Sequence, residues 1–293
     1  MLDERSIKAE IAQIEGLETL VRAYGEVASV RMKKTRDSVL ANRDFLTELS
    51  QVFDEVRISY AEEVSELTRR MGLKRRGKVT FLAHNGKVVS VLLSANTGLY
   101  GEIVQSTFNL FMAEVRKNLS EVTIVGKHGL GLFLGEEKNR PYSYFDLPDD
   151  RVETNQLSNL VKHIVQYEEI HVFYGKFVSV IKQVPTTFEI SAEITLPAEG
   201  SKSVTKYIFE PSLEKILMFF ETEIFASLLE QVVRESLLAK YASRVLAMDR
   251  ADGNIKEELT KLVFEKSRIN HRVLNRKQLN SLTGIAIFES YYG

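Results

Sequence analysis

The placement of proline constrains this chain more than any other sequence feature. All five prolines lie between residues 141 and 211, so residues 1–140 and 212–293 contain none. Proline removes a helical hydrogen-bond donor and clashes with the preceding turn, so it ends or kinks helices. The two flanks without proline are therefore free to form very long helices.

Apolar residues in both flanks recur at the three- and four-residue spacing of one helix face. In the first flank they are Ile7, Ile11, Ile14, Leu17, Val21, Tyr24 and Val27. In the last flank a strict four-three repeat contains Tyr241, Val245, Met248, Asp252, Ile255, Leu259, Leu262, Lys266, Ile269 and Val273. Both flanks are therefore predicted to be helical.

A strict four-three repeat forms a narrow apolar seam, which a partner helix covers by knobs-into-holes packing. We predict that the two flanks are partners in such a coiled coil. A helix from Ile7 to Arg70 would extend ~95 Å at ~1.5 Å per residue, so the predicted object is a rod. The predicted seam contains Ile11, Ile14, Val21, Tyr241, Val245, Met248, Ile255, Leu259 and Leu262.

Between the flanks the apolar pattern changes from helical to strand-like. Two apolar runs, at residues 78–83 and 88–93, enclose Asn85-Gly86. This dipeptide is typical of a tight turn between two antiparallel strands. A β-hairpin is therefore predicted here.

The rest of the centre alternates helical and extended patterns. Helical patterns occupy 102–117 and 156–166, extended runs occupy 122–125 and 170–174, and 177–194 is rich in strand formers. Such alternation predicts a small α/β layer domain with at least partly parallel strands. The predicted divisions are an N-terminal coiled-coil helix (1–74), a central α/β domain (75–206) and a C-terminal coiled-coil helix (207–293).

Composition excludes several classes of function. The sequence has no cysteine, so thiol catalysis, thiolate metal sites and disulfides are excluded, and a cytoplasmic location is the default expectation. A formal net charge of -1 gives no general attraction to nucleic acid. No stretch approaches the ~20 apolar residues of a membrane span, so membrane insertion is not expected.

Two glycine-containing segments follow predicted strands, but neither has the pattern of a cofactor site. The segment from Asn96 to Gly101 lacks the glycine spacing and the Lys-Ser pair of phosphate-binding motifs, which favours a tight strand-to-helix turn. His128, in the segment from Gly126 to Gly129, is interpreted as a surface-loop residue. The histidines share no metal-ligand spacing. We therefore expect no catalytic residue, cofactor or metal.

Basic residues cluster in the first flank at Arg31, Lys33, Lys34 and Arg36. A solvated helix face is the ordinary explanation for such a cluster. On a rod, the same four residues could instead form a basic collar that meets an acidic partner surface. The sequence leaves both interpretations open.

Several short segments, in order and on the predicted elements, resemble the gamma subunit of F-type ATP synthases. The segment from Ile7 to Lys34 is similar, without a gap, to the family helix IKxRIxSVxNTxxITKAMxMVAAAKLRRA. Ser94 to Gly101 is similar to the family's TSDRGLCGG, Tyr207 to Ser212 is similar to YxxEPS, and Ala242 to Asp249 is similar to AARMxAMxxA. The resemblance extends over nearly the whole chain.

The resemblance implies a fold and a function. In this family the first and last helices form an antiparallel coiled coil inside a ring of three alpha and three beta subunits. A central Rossmann-like α/β domain contacts the epsilon subunit and the membrane c-ring. Rotation of this non-catalytic central stalk couples proton flow to ATP synthesis. The implied location is peripheral, at the cytoplasmic face of the membrane.

The resemblance also implies contacts with the alpha and beta ring. The family's ITKAM falls on Leu20 to Tyr24, and its RQ and IT near the end of the last helix fall on Asn270-His271 and Leu274-Asn275. Asn270 in place of arginine removes a bidentate carboxylate donor. Together with the basic collar, the implied contact residues are Arg22, Tyr24, Arg31, Lys33, Lys34, Arg36, Asn270, His271 and Asn275.

Two alternatives to the rotor subunit stay open. The altered contact residues favour a gamma-like paralogue that serves a non-synthase rotary ATPase. The other alternative is a small nucleotide-using α/β enzyme with coiled-coil flanks, against which the missing phosphate motif argues. The identity of co-purifying subunits would separate the first two possibilities, and nucleotide binding by the purified chain would test the third.

Overall fold

The computed structural model describes residues 4–60, 63, 74–75, 78–79, 85–190, 210 and 212–292. Two long helices bracket the chain, α1 at Glu4–Ser59 and α5 at Leu213–Tyr292. Between them lie β1 (Lys74–Arg75), β2 (Lys78–Val79), β3 (Val88–Leu93), α2 (Ile103–Lys117), β4 (Glu121–Val125), α3 (Lys127–Glu136), β5 (Ser143–Phe145), α4 (Thr154–Ile164), β6 (Glu169–Ser179) and β7 (Lys182–Ile190). The predicted α/β fold class with helical flanks is confirmed.

The main sheet has five strands in the order β5-β4-β3-β6-β7. β3 pairs in parallel with β4 on one side and with β6 on the other, and β5 extends the sheet in parallel. β7 pairs with β6 in the antiparallel direction. Helices α2, α3 and α4 connect successive parallel strands, as crossover helices do in doubly wound sheets. The sheet is therefore Rossmann-like, and the loops after its parallel strands meet at one edge.

Helices cover both faces of the sheet, because successive side chains of a strand point to opposite faces. On one face, Leu92, Ile124 and Phe173 pack against the aromatic side chains of α2 and α3. On the other face, Val91 and Val172 pack against α4 and against the first part of α5. The α5 residues in this layer are Phe225, Leu229, Val232 and Val233.

The chain divides into two compact units by its internal contacts. One unit contains residues 28–244, which include the main sheet, its crossover helices, the second half of α1 and the first part of α5. The other contains the described residues up to Val27 together with those from Val245 onwards. The boundaries predicted at residues 74 and 206 stay a prediction.

In the unit formed by the two chain ends, α1 and α5 run antiparallel. A Cβ atom at Gly25 would lie 3.4 Å from the Met248 Cβ. Much nearer the start of α1, Ile7 packs against Leu262. An earlier residue of α1 therefore contacts a later residue of α5, so the two helices run in opposite directions.

The predicted hairpin at Asn85-Gly86 is wrong. Gly86 does turn the chain, with a φ of 72°, but β4 and β6 occupy the two sides of β3. The other predicted arm is residues 78–83. Its first two residues form β2, which pairs with β1, and residues 80–83 lie outside the described residues. A strand buried on both faces is a continuous apolar run, so its pattern alone does not distinguish a central strand from a hairpin arm.

The prediction of a surface loop around His128 is also wrong. His128 is exposed, but it lies in the first turn of α3. Glycine lowers helix propensity, and the glycines of this segment obscure its helical character in the sequence. Gly129 is required by packing, because a Cβ atom there would lie 2.4 Å from the Ser94 Cβ.

Candidate functional site

The Asn96 side chain donates and accepts hydrogen bonds that tie the loop after β3 to the loops after β4 and β5. Its amide nitrogen donates to the Asp146 carboxylate at 2.6 Å and to the Leu147 carbonyl at 2.8 Å. Its amide oxygen accepts from the Lys127 backbone amide at 2.8 Å. An ionised acidic side chain could not donate either of the first two bonds. The segment that this loop resembles has an acidic residue at the position of Asn96. The two donated hydrogen bonds explain why this chain has asparagine there.

Asp149, in the loop between β5 and α4, provides a buried carboxylate beside the loop after β3. Its Oδ2 accepts from the backbone amides of Asn96 and Thr97, both at 2.9 Å, and from the Thr97 hydroxyl at 3.0 Å. Its Oδ1 lies 3.4 Å from the Lys240 Nζ, and these two side chains are only 9% and 8% exposed. Lys240 also donates to the Ser94 carbonyl at 2.8 Å. The carboxylate thus joins the loop to α5.

Burial affects the charge state of Lys240. It lowers the pKa of the Lys240 ammonium below its ordinary value, because a low-dielectric environment disfavours the charged form. The Asp149 carboxylate opposes this shift by stabilising the cation. The buried ion pair therefore depends on both partners being present.

Arg244, one helical turn beyond Lys240, contacts the other end of the loop. Its guanidinium carbon lies 3.8 Å from the centroid of the Tyr100 ring, within the range of a cation–π interaction. It donates to the carbonyls of Gly98 at 2.7 Å and Leu99 at 3.2 Å. Burial raises the pKa of Tyr100 to about 12, so its hydroxyl is neutral near pH 7.

Tyr241 adds a third contact from the same part of α5. Its side chain is buried, and its hydroxyl donates to the Asp149 carbonyl. Burial raises the pKa of Tyr241, although a hydrogen bond with Arg31 of α1 acts in the opposite direction. We name the set of residues 94–102, Asp149, Lys240, Tyr241 and Arg244 the loop–helix joint.

A second polar contact attaches α5 to β6 and to α1. The buried Glu235 carboxylate accepts from the Tyr174 hydroxyl at 3.3 Å and lies 3.5 Å from the Arg43 guanidinium. Burial raises the pKa of Tyr174 above its ordinary value. The Asn42 side chain donates to the Ser227 carbonyl at 3.3 Å. Directional bonds therefore supplement the apolar packing of α5.

The tight turn was predicted from the sequence, but the residues that hold it were not. Lys240 and Arg244 lie four residues apart inside a largely apolar helical segment. Such a placement signals buried partners, because an unpaired charge in an apolar layer is costly. Asp149 has no comparable local signal, since Lys240 is 91 positions away.

The residues of the predicted seam are buried to different degrees. Ile11, Met248 and Leu262 are buried between α1 and α5 in the unit of the chain ends. Tyr241 belongs to the other unit, where it packs beside Tyr100. The half-buried members are Ile14, Val21, Val245, Ile255 and Leu259.

Asp252, which interrupts the apolar repeat, is half-buried and paired. It accepts from the Arg22 Nε at 3.0 Å, and its carboxylate lies 2.5 Å from the Lys256 ammonium. The hydrogen bonds from Lys256 and Arg22 lower the pKa of Asp252. Arg22 thus pairs α1 with α5, while its predicted contact with the ring stays a prediction.

The remaining predicted ring-contact residues lie along both long helices. Arg31 and Asn270 are half-buried, and the others are exposed. The exposed residues are Tyr24, Lys33, Lys34, Arg36, His271 and Asn275. Their role in binding stays a prediction.

Within the described residues, no group of three or more His, Asp or Glu side chains could hold a metal ion. Across the same part of the chain, no helix is both long and apolar enough to cross a bilayer. His84 lies outside the described residues.

Comparison with known proteins gives one consistent family. A family model described as ATP synthase matches residues 3–269. The ATP synthase gamma chain of Desulfitobacterium hafniense is 23% identical over 304 residues, which cover 99% of this chain and 100% of that one. The ATP synthase gamma chain of Roseiflexus castenholzii is 26% identical over 282 residues, which cover 92% of this chain and 93% of that one.

Among solved structures, a chain of the central stalk and c-ring of the Tetrahymena thermophila mitochondrial ATP synthase has a similar fold. The TM-score is 0.53 at 18% sequence identity, and the match covers 79% of this chain and 99% of that one. At this identity the likeness concerns the fold alone. It agrees with a Rossmann-like sheet bracketed by two long helices.

Proposed function

The chain belongs to the ATP synthase gamma family, and on that basis we propose that it is the central-stalk rotor subunit of a proton-translocating F-type ATP synthase. The observation that carries the proposal is the family match over residues 3–269, which includes α1, the sheet and more than half of α5. The subunit itself is non-catalytic. It couples ion-driven rotation to ATP synthesis or hydrolysis in the alpha and beta subunits.

The course of α5 supports this function. Its first part packs on the sheet, and its later part pairs with α1. Both parts belong to one continuous helix, in which each residue is hydrogen-bonded to the residue four positions away. Torque applied to the α/β domain is therefore passed along α5.

The partners follow from the same proposal. The alpha and beta subunits surround the paired ends of α1 and α5, while the epsilon subunit and the membrane c-ring contact the α/β domain. Exposed apolar side chains near the end of α5 support a partner there, because such residues together mark interaction surfaces. They are Val273, Leu274, Leu279 and Leu282, each at least 40% exposed. The complex lies peripherally at the cytoplasmic face of the membrane.

The loop–helix joint argues against a nucleotide-using enzyme. In a Rossmann-like sheet, phosphate is held by backbone amides of the loop after a parallel strand. Here the amides of Asn96 and Thr97 are bonded to the Asp149 carboxylate. Lys240 and Arg244 of α5 contact the same loop.

Purification of the native complex through an affinity tag on this chain tests the proposal. We expect alpha, beta and epsilon subunits to co-purify, with ATPase activity, and deletion of the chain to abolish ATP-driven proton pumping. Recovery of the chain with a different rotary ATPase would instead identify it as a gamma-like paralogue. Recovery of the chain alone would contradict both functions.

Charge removal tests the basic collar. We propose that Lys33, Lys34 and Arg36 face acidic surfaces of the ring. Replacing all three with glutamine should weaken ring assembly roughly tenfold at low salt, because exposed ion pairs each contribute modestly and are screened by salt. Arg31 is left unchanged because it hydrogen-bonds Tyr241. The dissociation constant, measured at low and high ionic strength, is the readout.

The matched control removes three exposed lysines from the α/β domain, Lys117, Lys138 and Lys162. It changes the net charge equally but should leave ring affinity unaltered. If the two triple variants behave alike, the basic collar is only a solvated helix face.

A further inference from the structure

Asp149 occupies the position in the loop–helix joint that a bound anion takes in a phosphate-binding turn. One carboxylate oxygen accepts from two consecutive backbone amides and a hydroxyl, and the other faces the Lys240 ammonium. Consecutive amides near a cation are the features with which proteins hold phosphate or carboxylate groups. Here the anion is part of the chain.

We propose that Asp149 is a positioning residue, a tethered anion that sets the register of α5 against the loop after β3. Its carboxylate neutralises Lys240, and its main-chain carbonyl accepts the Tyr241 hydroxyl. Asp149 therefore binds the loop on one side and two consecutive residues of α5 on the other.

Directional bonds are needed for this register. The apolar contacts of Leu237 and Tyr241 with the loop bury surface, but apolar attraction is non-directional. Hydrogen bonds require defined donor and acceptor positions. Without the carboxylate, three donors of the loop would lose their acceptor, and Lys240 would be a buried cation near Arg244.

The mechanical consequence rests on the proposed function. A rotor must transmit torque between its α/β domain and α5 without slippage. The loop–helix joint connects the loop after β3, at the carboxyl-end edge of the sheet, to adjacent turns of α5. Weakening the loop–helix joint should reduce the coupling between ATP hydrolysis and proton pumping, although no residue that contacts the ring is removed.

Chemical rescue of the full-length chain tests the tethered anion. Asp149→Ala should lower the melting temperature by roughly 10 °C, because a buried charge loses its partner. Formate has the size and charge of the missing carboxylate. It should raise the melting temperature of Asp149→Ala most of the way back to the wild-type value, and the effect should saturate with formate concentration. Equal concentrations of chloride should not raise it. The matched control, Asp150→Ala, removes an exposed neighbouring carboxylate and should respond to neither salt.

Asp149→Asn provides a variant that keeps the shape of the side chain if the alanine variant fails to fold. It retains an oxygen acceptor but no charge, so hydrogen exchange should accelerate in residues 94–102 and 237–244 and not in the outer strand β5. Unchanged exchange in both segments would overturn the proposal. So would an Asp149→Ala protein that melts like the wild type or gains nothing specific from formate.

The assembled complex gives an independent readout. Asp149→Asn should lower the number of protons pumped per ATP hydrolysed, while ATP hydrolysis by the ring continues and Asp150→Asn behaves as the wild type. Unaltered coupling in Asp149→Asn would overturn the mechanical role. If the wild-type chain fails to assemble with a ring at all, the proposed function is wrong, whereas formate rescue still decides the role of Asp149.

Discussion

Replacing Leu262 with aspartate is expected to separate the paired ends of α1 and α5. Leu262 is 5% exposed and packs against Ile7 and Ile11. An aspartate there would place an unpaired charge in an apolar seam, at a cost of about 3–5 kcal/mol. Hydrogen exchange in residues 5–27 and 245–283 should rise strongly, while exchange in the sheet stays slow. Co-purification with alpha and beta subunits should be lost.

The adjacent residue supplies the matched control. Val263 is 52% exposed, so an aspartate at this position remains solvated. Val263→Asp should therefore keep the exchange protection of both helix ends in the isolated chain. Equal protection in the two variants, or equal loss, would show that burial at Leu262 does not hold these helices together.

Replacing Gly126 with alanine is expected to destabilise the α/β domain by about 4 kcal/mol, from backbone strain and steric overlap together. Gly126 has a φ of 99°, which side-chain-bearing residues rarely adopt. A Cβ atom there would also lie 2.7 Å from the Ala95 carbonyl oxygen, in the strand-end loop that leads to Asn96. Urea unfolding followed by circular dichroism should show the loss, and exchange in the loop–helix joint should rise.

Gly131 provides the control for this substitution. It lies in α3 with no atom within 4 Å of an added Cβ. Because alanine favours helix more than glycine does, Gly131→Ala should be neutral or should stabilise the protein by up to ~1 kcal/mol. A Gly126→Ala protein as stable as Gly131→Ala would mean that the loops after β3 and β4 can move apart.

Asn96 and Asp252 show how structure explains residues that depart from a pattern. Asn96 departs from the acidic residue of the family motif because it must donate to Asp146 and Leu147. Asp252 departs from the apolar repeat because Arg22 of α1 lies opposite it. In both cases the reason is a partner on another element, which the pattern of one segment does not contain.

The sequence by itself determined the two long helices, the apolar repeat that pairs their ends, and the alternation of helices and strands between them. These features depend on local periodicity and on where proline is absent, so each can be predicted from its own segment without the rest of the chain. Only the tertiary structure decided that β3 is a central strand rather than a hairpin arm, that the glycine-rich segment after Gly126 is a helix, and that Asp149 holds Lys240. Those outcomes depend on contacts between distant segments: Lys240 lies 146 positions from the Ser94 carbonyl it binds, and Arg244 lies 147 from Thr97. No local pattern specifies such pairs, because the folded sheet supplies the geometry that brings them together.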